Sequence, residues 1–561
     1  MSASNKKKLR KEQEVGQLTA KQQQEMSEAK KLKIYTVSFL SVMVLIVCTF
    51  AVILGVRFVR TSGIIEKNTI AATVGNRKLD TVEMNYYYVD AVNEFYNQWK
   101  EYYTDNADTY LKAVYGLDPA QPLNQQYTDE AKTETWSAYF INQAIAQAKN
   151  DFAMYDLAMA EKFKLSESAQ ASLDNTISML DTYATIYGYR NASQYLSAIY
   201  GSGANVKTYK EYYERSLIAS EYYTAHKDTF VYTDEQREAY QADKSATFNS
   251  YNYTSCYLTY TDFRVGTKGE DGKTTYSDEQ NNEGRKKMAD YAKELAEKIT
   301  TKAELEDAIK DAPVAEGKKL SVTEEKNILH NEVSTSALRD WLADAKRKPG
   351  DVAHIPNEST VKDEDGKETK VTNGYYVVIF DSVSDNATPM ADIGYIFVPY
   401  QGGVADEETG DIAYDQEGKD KAKTAANGYL KQWQDGAKTS ASFEELANTL
   451  IKDKKATKGG LFENVNPATT LASEIVDWSL DTKRAVNDTT IIEADDGFYI
   501  VLYTAKSKLN YRHFMIDNEM RSADYTKWYN DALAKVTTTV GNTSRMDLAI
   551  VLNPASATTK K

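Results

Sequence analysis

"WLADAKRKPGD", Trp341 to Asp351, is written a second time as "WSLDTKRAVND", Trp478 to Asp488. The stretches share five of eleven residues: the Trp, the first Asp, the Lys-Arg pair and the final Asp. Each precedes an apolar strand pattern, and these also correspond, "NGYYVVIF" (Asn373 to Phe380) and "DGFYIVLY" (Asp496 to Tyr503). Upstream, "FNSYNYTSCYLTY" from Phe248 and "DIGYIFVPY" from Asp392 alternate as strands do, each followed by a polar loop and two helical patterns. The spacing predicts a duplicated β-α-α-β-β unit of roughly 120–140 residues, an ordinary domain size. Residues 247–385 and 390–506 are expected to form two small α+β domains around antiparallel sheets, with Tyr375–Phe380 and Phe498–Tyr503 in the same strand.

The rest of the chain is helical. At 561 residues it is too long for one core. After a strand (Ile70 to Val74) and a Gly75-Asn76 turn, Asp80 and Glu83 have the capping-box spacing of a helix start. Met84, Tyr87, Tyr88, Ala91, Val92, Phe95 and Trp99 then recur at three-and-four spacing on one helical face. Similar patterns run to about Ser245, and the 41 tyrosines suit either helix seams or a half-wet groove. At the other end, "YRHFMI" (Tyr511 to Ile516) imitates a strand but reads as the lead into a helix, "SADYTKWYNDALAKV". Trp528, Tyr529 and Leu533 on that helix need a partner face, so residues 511–551 are expected to pack on the helices of 70–245.

The charge is uneven. Residues 1–33 carry nine Lys/Arg against four Glu, a net of +5 in a chain of net −15. Ile34 to Val56 follow, 23 residues without a charge, long enough to span a bilayer as a helix. The basic flank places the N-terminus in the cytoplasm and the bulk of the chain outside. The predicted organisation is a basic tail (1–33), a transmembrane helix (34–56), a tether (57–69), a helical module (70–245), the two α+β units (246–386 and 387–506) and a C-terminal helical segment (507–561). Cys48 falls in the membrane span and Cys256 stands alone, which matches the sparing use of cysteine in exported Gram-positive proteins.

The repeated unit, with "SFEELA", "KGGLF" (Lys458 to Phe462), a Trp-bearing short helix and a "GFYIV" end, resembles the parvulin (PpiC-like) family of peptidyl-prolyl isomerases. The exported chain as a whole resembles the SurA/PrsA class of envelope foldases, in which a helical N-terminal chaperone module and a C-terminal helix enclose parvulin domains. The resemblance implies an α+β multidomain fold, unfolded or nascent exported polypeptides as partners, and prolyl cis–trans isomerisation as the activity. The family's paired histidines fall on Tyr395 and Tyr499 in the second unit, its acidic residue near Asp453, and its short-helix Phe on Trp478. In the first unit the last histidine becomes Tyr376 and the first lies near Tyr257. The implied peptide-binding set is Tyr395, Phe397, Leu461, Phe462, Trp478 and Tyr499. With tyrosine at both histidine positions, both sites depart from the pattern of an active isomerase.

Other chemistries find no motif. The four histidines (His226, His330, His354, His513) lack metal-ligand spacing, and no glycine motif for a phosphate or cofactor occurs. Net acidity argues against a nucleic-acid partner. The reading is a membrane-anchored extracytoplasmic folding factor. The alternatives are a non-catalytic chaperone and a structural envelope scaffold, both using parvulin-like domains for binding alone.

Overall fold

The computed structural model describes residues 62–270, 272–362, 366–405 and 412–553. The fold is α+β and multidomain, with several small antiparallel sheets among the described residues. Two compact units divide the chain: one gathers residues up to Phe230 with those from Asp524 onward, the other is Val231–Ala523. No helix among the described residues is long and apolar enough to cross a membrane, and the predicted span Ile34–Val56 lies outside them.

In the first unit, Gly75 (φ 57°) turns the strand Ile70–Val74 into Arg77–Asp80, which sequence reading had folded into the helix start. The Asp80 carboxylate accepts the Glu83 N–H at 2.9 Å and caps the helix Thr81–Tyr103. This helix buries Met84, Tyr86, Tyr87 and Tyr88 against the helices Trp136–Ala160 and Val206–His226. Here the tyrosines fill a seam, and Tyr86 and Tyr87 keep internal partners in Thr208 and Arg215, while the buried Tyr88 hydroxyl has none among the described residues. Tyr86 stacks on Tyr212 at 5.0 Å, and the Tyr212 and Tyr200 hydroxyls donate to Asp90 at 2.7 and 3.1 Å. A hydroxyl buried without such a partner would cost about 1–3 kcal/mol. The Glu83 carboxylate meets Arg215 at 2.7 Å, and the guanidinium lies over the Phe152 ring at 4.4 Å.

The chain's last segment completes this unit. Trp528 stacks on His226 at 3.9 Å, and the strand Thr538–Val540 pairs antiparallel with Ile70–Val74, a pairing that no local pattern announces. The expected packing of 511–551 is thereby corrected. Residues from Asp524 belong with the N-terminal helices, whereas Tyr511–Ala523 belong with the second unit. "YRHFMI" is not a lead-in but the first turns of the helix Tyr511–Ala534, and the preceding strand Gly497–Asn510 runs past the expected boundary at 506. The helical module likewise stops short of Ser245, because the helix Asp234–Gln241 is held in the second unit. There Arg237 makes a bidentate pair with Asp517 (2.6 and 2.8 Å), both side chains buried, and Arg512 bonds Gln241 at 2.6 Å.

The second unit contains two four-stranded sheets of the same order. In the first, Thr323–Leu329, Ser250–Thr259, Glu368–Ser384 and Val352–Lys362 lie side by side. In the second, Lys458–Val465, Pro389–Pro399, Gly497–Asn510 and Thr489–Glu493 take the same places. The helices correspond too: Asp278–Lys298 and Lys302–Ala308 in one, Gln416–Gln434 and Ser440–Lys452 in the other, with Leu305 and Phe443 buried at matching positions. They cover one sheet face only.

The repeated Trp-Asp-Lys-Arg-Asp stretch forms one turn twice. Arg347 lies over the Trp341 ring at 4.0 Å and donates to the Trp341 carbonyl at 3.1 Å; for Arg484 and Trp478 the values are 4.7 and 3.2 Å. Gly350 (φ 87°) and Asn487 (φ 74°) occupy the same left-handed position. Their N–H groups donate to Phe380 and Tyr503 carbonyls at 2.8 and 2.9 Å, while Asp351 and Asp488 carbonyls accept the return bonds. The turn therefore clamps the closing strand. The edge strands Thr323–Leu329 and Lys458–Val465 match as well, each bulging at a left-handed asparagine, Asn327 or Asn464, whose N–H is held by Asn252 or Asp392. The repeats differ in their last hairpin, which is long in the first and short in the second.

Two predictions follow from these contacts. Gly350→Ala should cost about 1–2 kcal/mol, because a Cβ disfavours the left-handed region, while Asn487→Gly should be neutral or slightly stabilising. Denaturant unfolding of each variant checks both. In the helical unit, burial raises the Asp151 carboxyl from its ordinary 3.8 to about 6, against bonds from Tyr87 and Ser216 and attraction by Arg215. The folded state then keeps a proton that the unfolded chain has lost, so this group's contribution to stability falls as pH rises through that window and is level above it. In Asp151→Asn that decline should be absent from stability measured across pH 4 to 7.

Candidate peptide-binding face

Alternation along the strands decides which residues meet. In the second repeat Ile396, Val398, Phe498, Ile500 and Leu502 point to the helices Gln416–Gln434 and Ser440–Lys452. Ile393, Val501 and Tyr499 point the other way, with Phe462 and Trp478 packed among them. Tyr395 and Phe397 share this second face. Their rings lie 6.1 and 4.6 Å from Tyr499, and Tyr395 and Tyr499 stay partly exposed. Trp478 reaches this face because the helix Ser473–Leu480 anchors Ile475 and Val476 in the same cluster.

Two expected members do not join them. Leu461 pairs with Gly394, where a Cβ would point at Phe443 and the Leu461 side chain; it therefore lies on the helix side of the sheet. Asp453 ends the helix Ser440–Lys452 on that same side, and its half-exposed carboxylate pairs with Lys455 at 3.1 Å. The sheet separates it from the tyrosines. The double glycine before Leu461 is nonetheless structural: Gly459 fits under Ala447, and Gly460 (φ 131°) is directly opposite Tyr395.

The first repeat carries a related face with a different register from the one expected. Ser255 pairs with Val378 as Tyr395 pairs with Val501, so Ser255, not Tyr257, stands at the Tyr395 position. Tyr257 corresponds to Phe397, and its ring is 4.5 Å from Tyr376, as Phe397 is from Tyr499. The Tyr257 hydroxyl accepts from the Asn357 amide at 2.7 Å. His330 joins this face without any motif to announce it. Its Nδ1 lies 3.1 Å from the Tyr251 hydroxyl, and desolvation, then Arg339, holds it below the usual imidazole range.

The repeated Gly-aromatic-Tyr pattern now has a physical cause. At Gly374 a Cβ would collide with the Tyr257 ring, and at Gly497 with the Phe397 ring. Each glycine lets an aromatic from the neighbouring strand lie across the head of the closing strand, beside Tyr376 or Tyr499. The sequence shows these glycines only as part of the two repeated stretches; the close approach that requires them spans a hundred residues or more and is invisible locally.

Burial, followed by Asp496 and Tyr395, raises the Tyr499 phenol further above neutrality, so it is a hydrogen-bonding group and no base. The Cys256 thiol is buried on the helix side and pushed up to about 11, chiefly by desolvation, which leaves it protonated and unreactive. Among the described residues no group of three or more His, Cys, Asp or Glu is placed to hold a metal. What the faces offer is aromatic surface with hydroxyl tips, suited to an apolar or prolyl side chain and the adjoining peptide bond. No model of a known protein family matches the chain, and no curated protein matches its sequence.

Gly374→Ala and Gly497→Ala should each displace one ring and cost about 1–3 kcal/mol, as overpacking does. Urea denaturation measures this, and a loss under about 0.5 kcal/mol, the ordinary surface range, would mean that both the rings and the Leu258 and Val398 carbonyls beside them yield freely.

Proposed function

We propose that the chain is a membrane-anchored extracytoplasmic folding factor that binds unfolded exported polypeptides. In this reading Ile34–Val56 is the anchor, the first unit is a helical chaperone module, and the two sheet repeats are parvulin-like peptide-binding domains. One observation carries it: the same aromatic pair, Tyr257/Tyr376 and Phe397/Tyr499, recurs on the face away from the two long helices in two sheets of identical order. A spacer has no need of such repetition. Parvulins carry histidine where the second repeat has Tyr395 and Tyr499 and the first has Ser255 and Tyr376, which makes the domains binding modules first, with at most weak isomerase activity in the second. Prolyl isomerisation has no covalent step and needs only a site that favours the twisted amide, so aromatic walls alone give some rate.

The full chain in detergent should suppress aggregation of a denatured secreted protein in stoichiometric amounts, and Tyr499→Ala with Tyr376→Ala should weaken that effect. In a proline-limited refolding assay it should accelerate the slow phase only slightly, with no inflection near pH 6.5. Tyr395→His with Tyr499→His should raise the isomerase rate more than peptide affinity. Wild-type activity at ordinary parvulin rates would sink the binding-module reading, and failure to suppress aggregation would leave a scaffold.

A further inference from the structure

Between Asp181 and Glu211 the chain contains no acidic residue and three basic ones, Arg190, Lys207 and Lys210, although its net charge is −15. This stretch covers the end of the helix Glu167–Ile186, the helix Ala192–Tyr200 and the start of Val206–His226. One side of it is core, through Ala184, Ala192 and Leu196. The other presents large apolar groups to solvent: Ile186 is 67% exposed, Tyr187 64%, Tyr183 40% and Ile199 37%. The rings of Tyr183, Tyr187 and Tyr189 gather around Tyr195 at 6.4, 5.7 and 5.7 Å. A cluster of this kind on a water-facing surface marks an interaction site.

Its place in the chain says what covers it. Gly63 (φ 69°) packs so closely on Gly203 (φ 95°) that neither position tolerates a Cβ, which fixes the incoming chain beside the loop that follows Tyr200. Only seven residue steps separate Gly63 from Val56, the end of the apolar run. Fully extended, they reach about 25 Å. The aromatic surface begins at Ile199, four residues before Gly203, so it lies within reach of any bilayer that holds the anchor.

We infer that this Tyr/Ile surface with Arg190 rests on the anionic surface of that bilayer and orients the helical unit on it. Tyrosine suits the headgroup level, and Arg190, Lys207 and Lys210 outnumber the carboxylates beside them, Asp181 at the Ala192 N–H (2.9 Å) and Glu211 against Lys207 (3.8 Å), so anionic lipid is repelled less here than by the rest of this acidic chain. The inference rests on the anchor reading above.

The test uses the full chain captured in nanodiscs of phosphatidylglycerol with phosphatidylcholine, compared with detergent micelles, and hydroxyl-radical labelling read by mass spectrometry. Ile186, Tyr187 and Ile199 should be protected in the discs, while Tyr102, 77% exposed and flanked by Glu101, labels equally in both. Arg190→Ser should lower the ratio of docked to undocked molecules about fivefold, the loss of one basic residue's attraction. Equal labelling in discs and micelles would overturn the inference, as would protection that appears only when an unfolded polypeptide is added. If the chain is not retained in the discs at all, the anchor reading fails, a result scored before any labelling, and this inference falls with it.

Discussion

Each sheet in the second unit has one helix-covered face and one aromatic face only because its closing strand is held in a single register. A slip of one residue would exchange the two faces completely. The clamp is the turn at Gly350 and Asn487, where a left-handed residue lets a backbone N–H reach the closing strand and the next residue's carbonyl take the return bond. The Trp–Arg stack below the turn keeps it rigid, since the guanidinium covers the indole and ties back to its carbonyl. The aromatic faces, the glycines beneath the rings and the position of Trp478 all depend on that register.

Duplication has preserved the frame more faithfully than the surface. The left-handed turn, the bulged asparagine and the ring over glycine are present in both repeats. The residue opposite the closing strand's valine is Ser255 in one and Tyr395 in the other, and only the first repeat holds its stacked ring through an amide, Asn357. Under the proposed binding role, two linked faces would hold one extended polypeptide more tightly than either alone when its length spans both.

Tyrosine serves two ends in the helical unit. Tyr86, Tyr87 and Tyr212 are core residues whose size fills the seam, with Asp90, Thr208 and Arg215 meeting hydroxyls that burial would otherwise strand. Tyr183 and Tyr187 are turned outward, in a stretch of 29 residues without an acidic one. The same residue type is thus core in one place and water-facing in the other.

The sequence by itself determined what is local. Period-two and period-three-and-four patterns marked the strands and helices, the Trp-Asp-Lys-Arg-Asp repeat marked the duplication, and Asp80 marked a helix start, because each depends on residues within a few turns of one another. Only the tertiary structure decided what is paired at a distance. Thr538–Val540 joins Ile70–Val74 across the length of the chain, and a three-residue strand has no signal of its own. Arg237 and Asp517 place the helix Asp234–Gln241 in the second unit, although its pattern continues that of the first. Leu461 and Asp453 fall on the helix side, and Ser255 replaces Tyr257 at the matching position. Such outcomes turn on strand register, which reverses a side chain's direction with each residue and is set by hydrogen bonds between segments far apart in the chain.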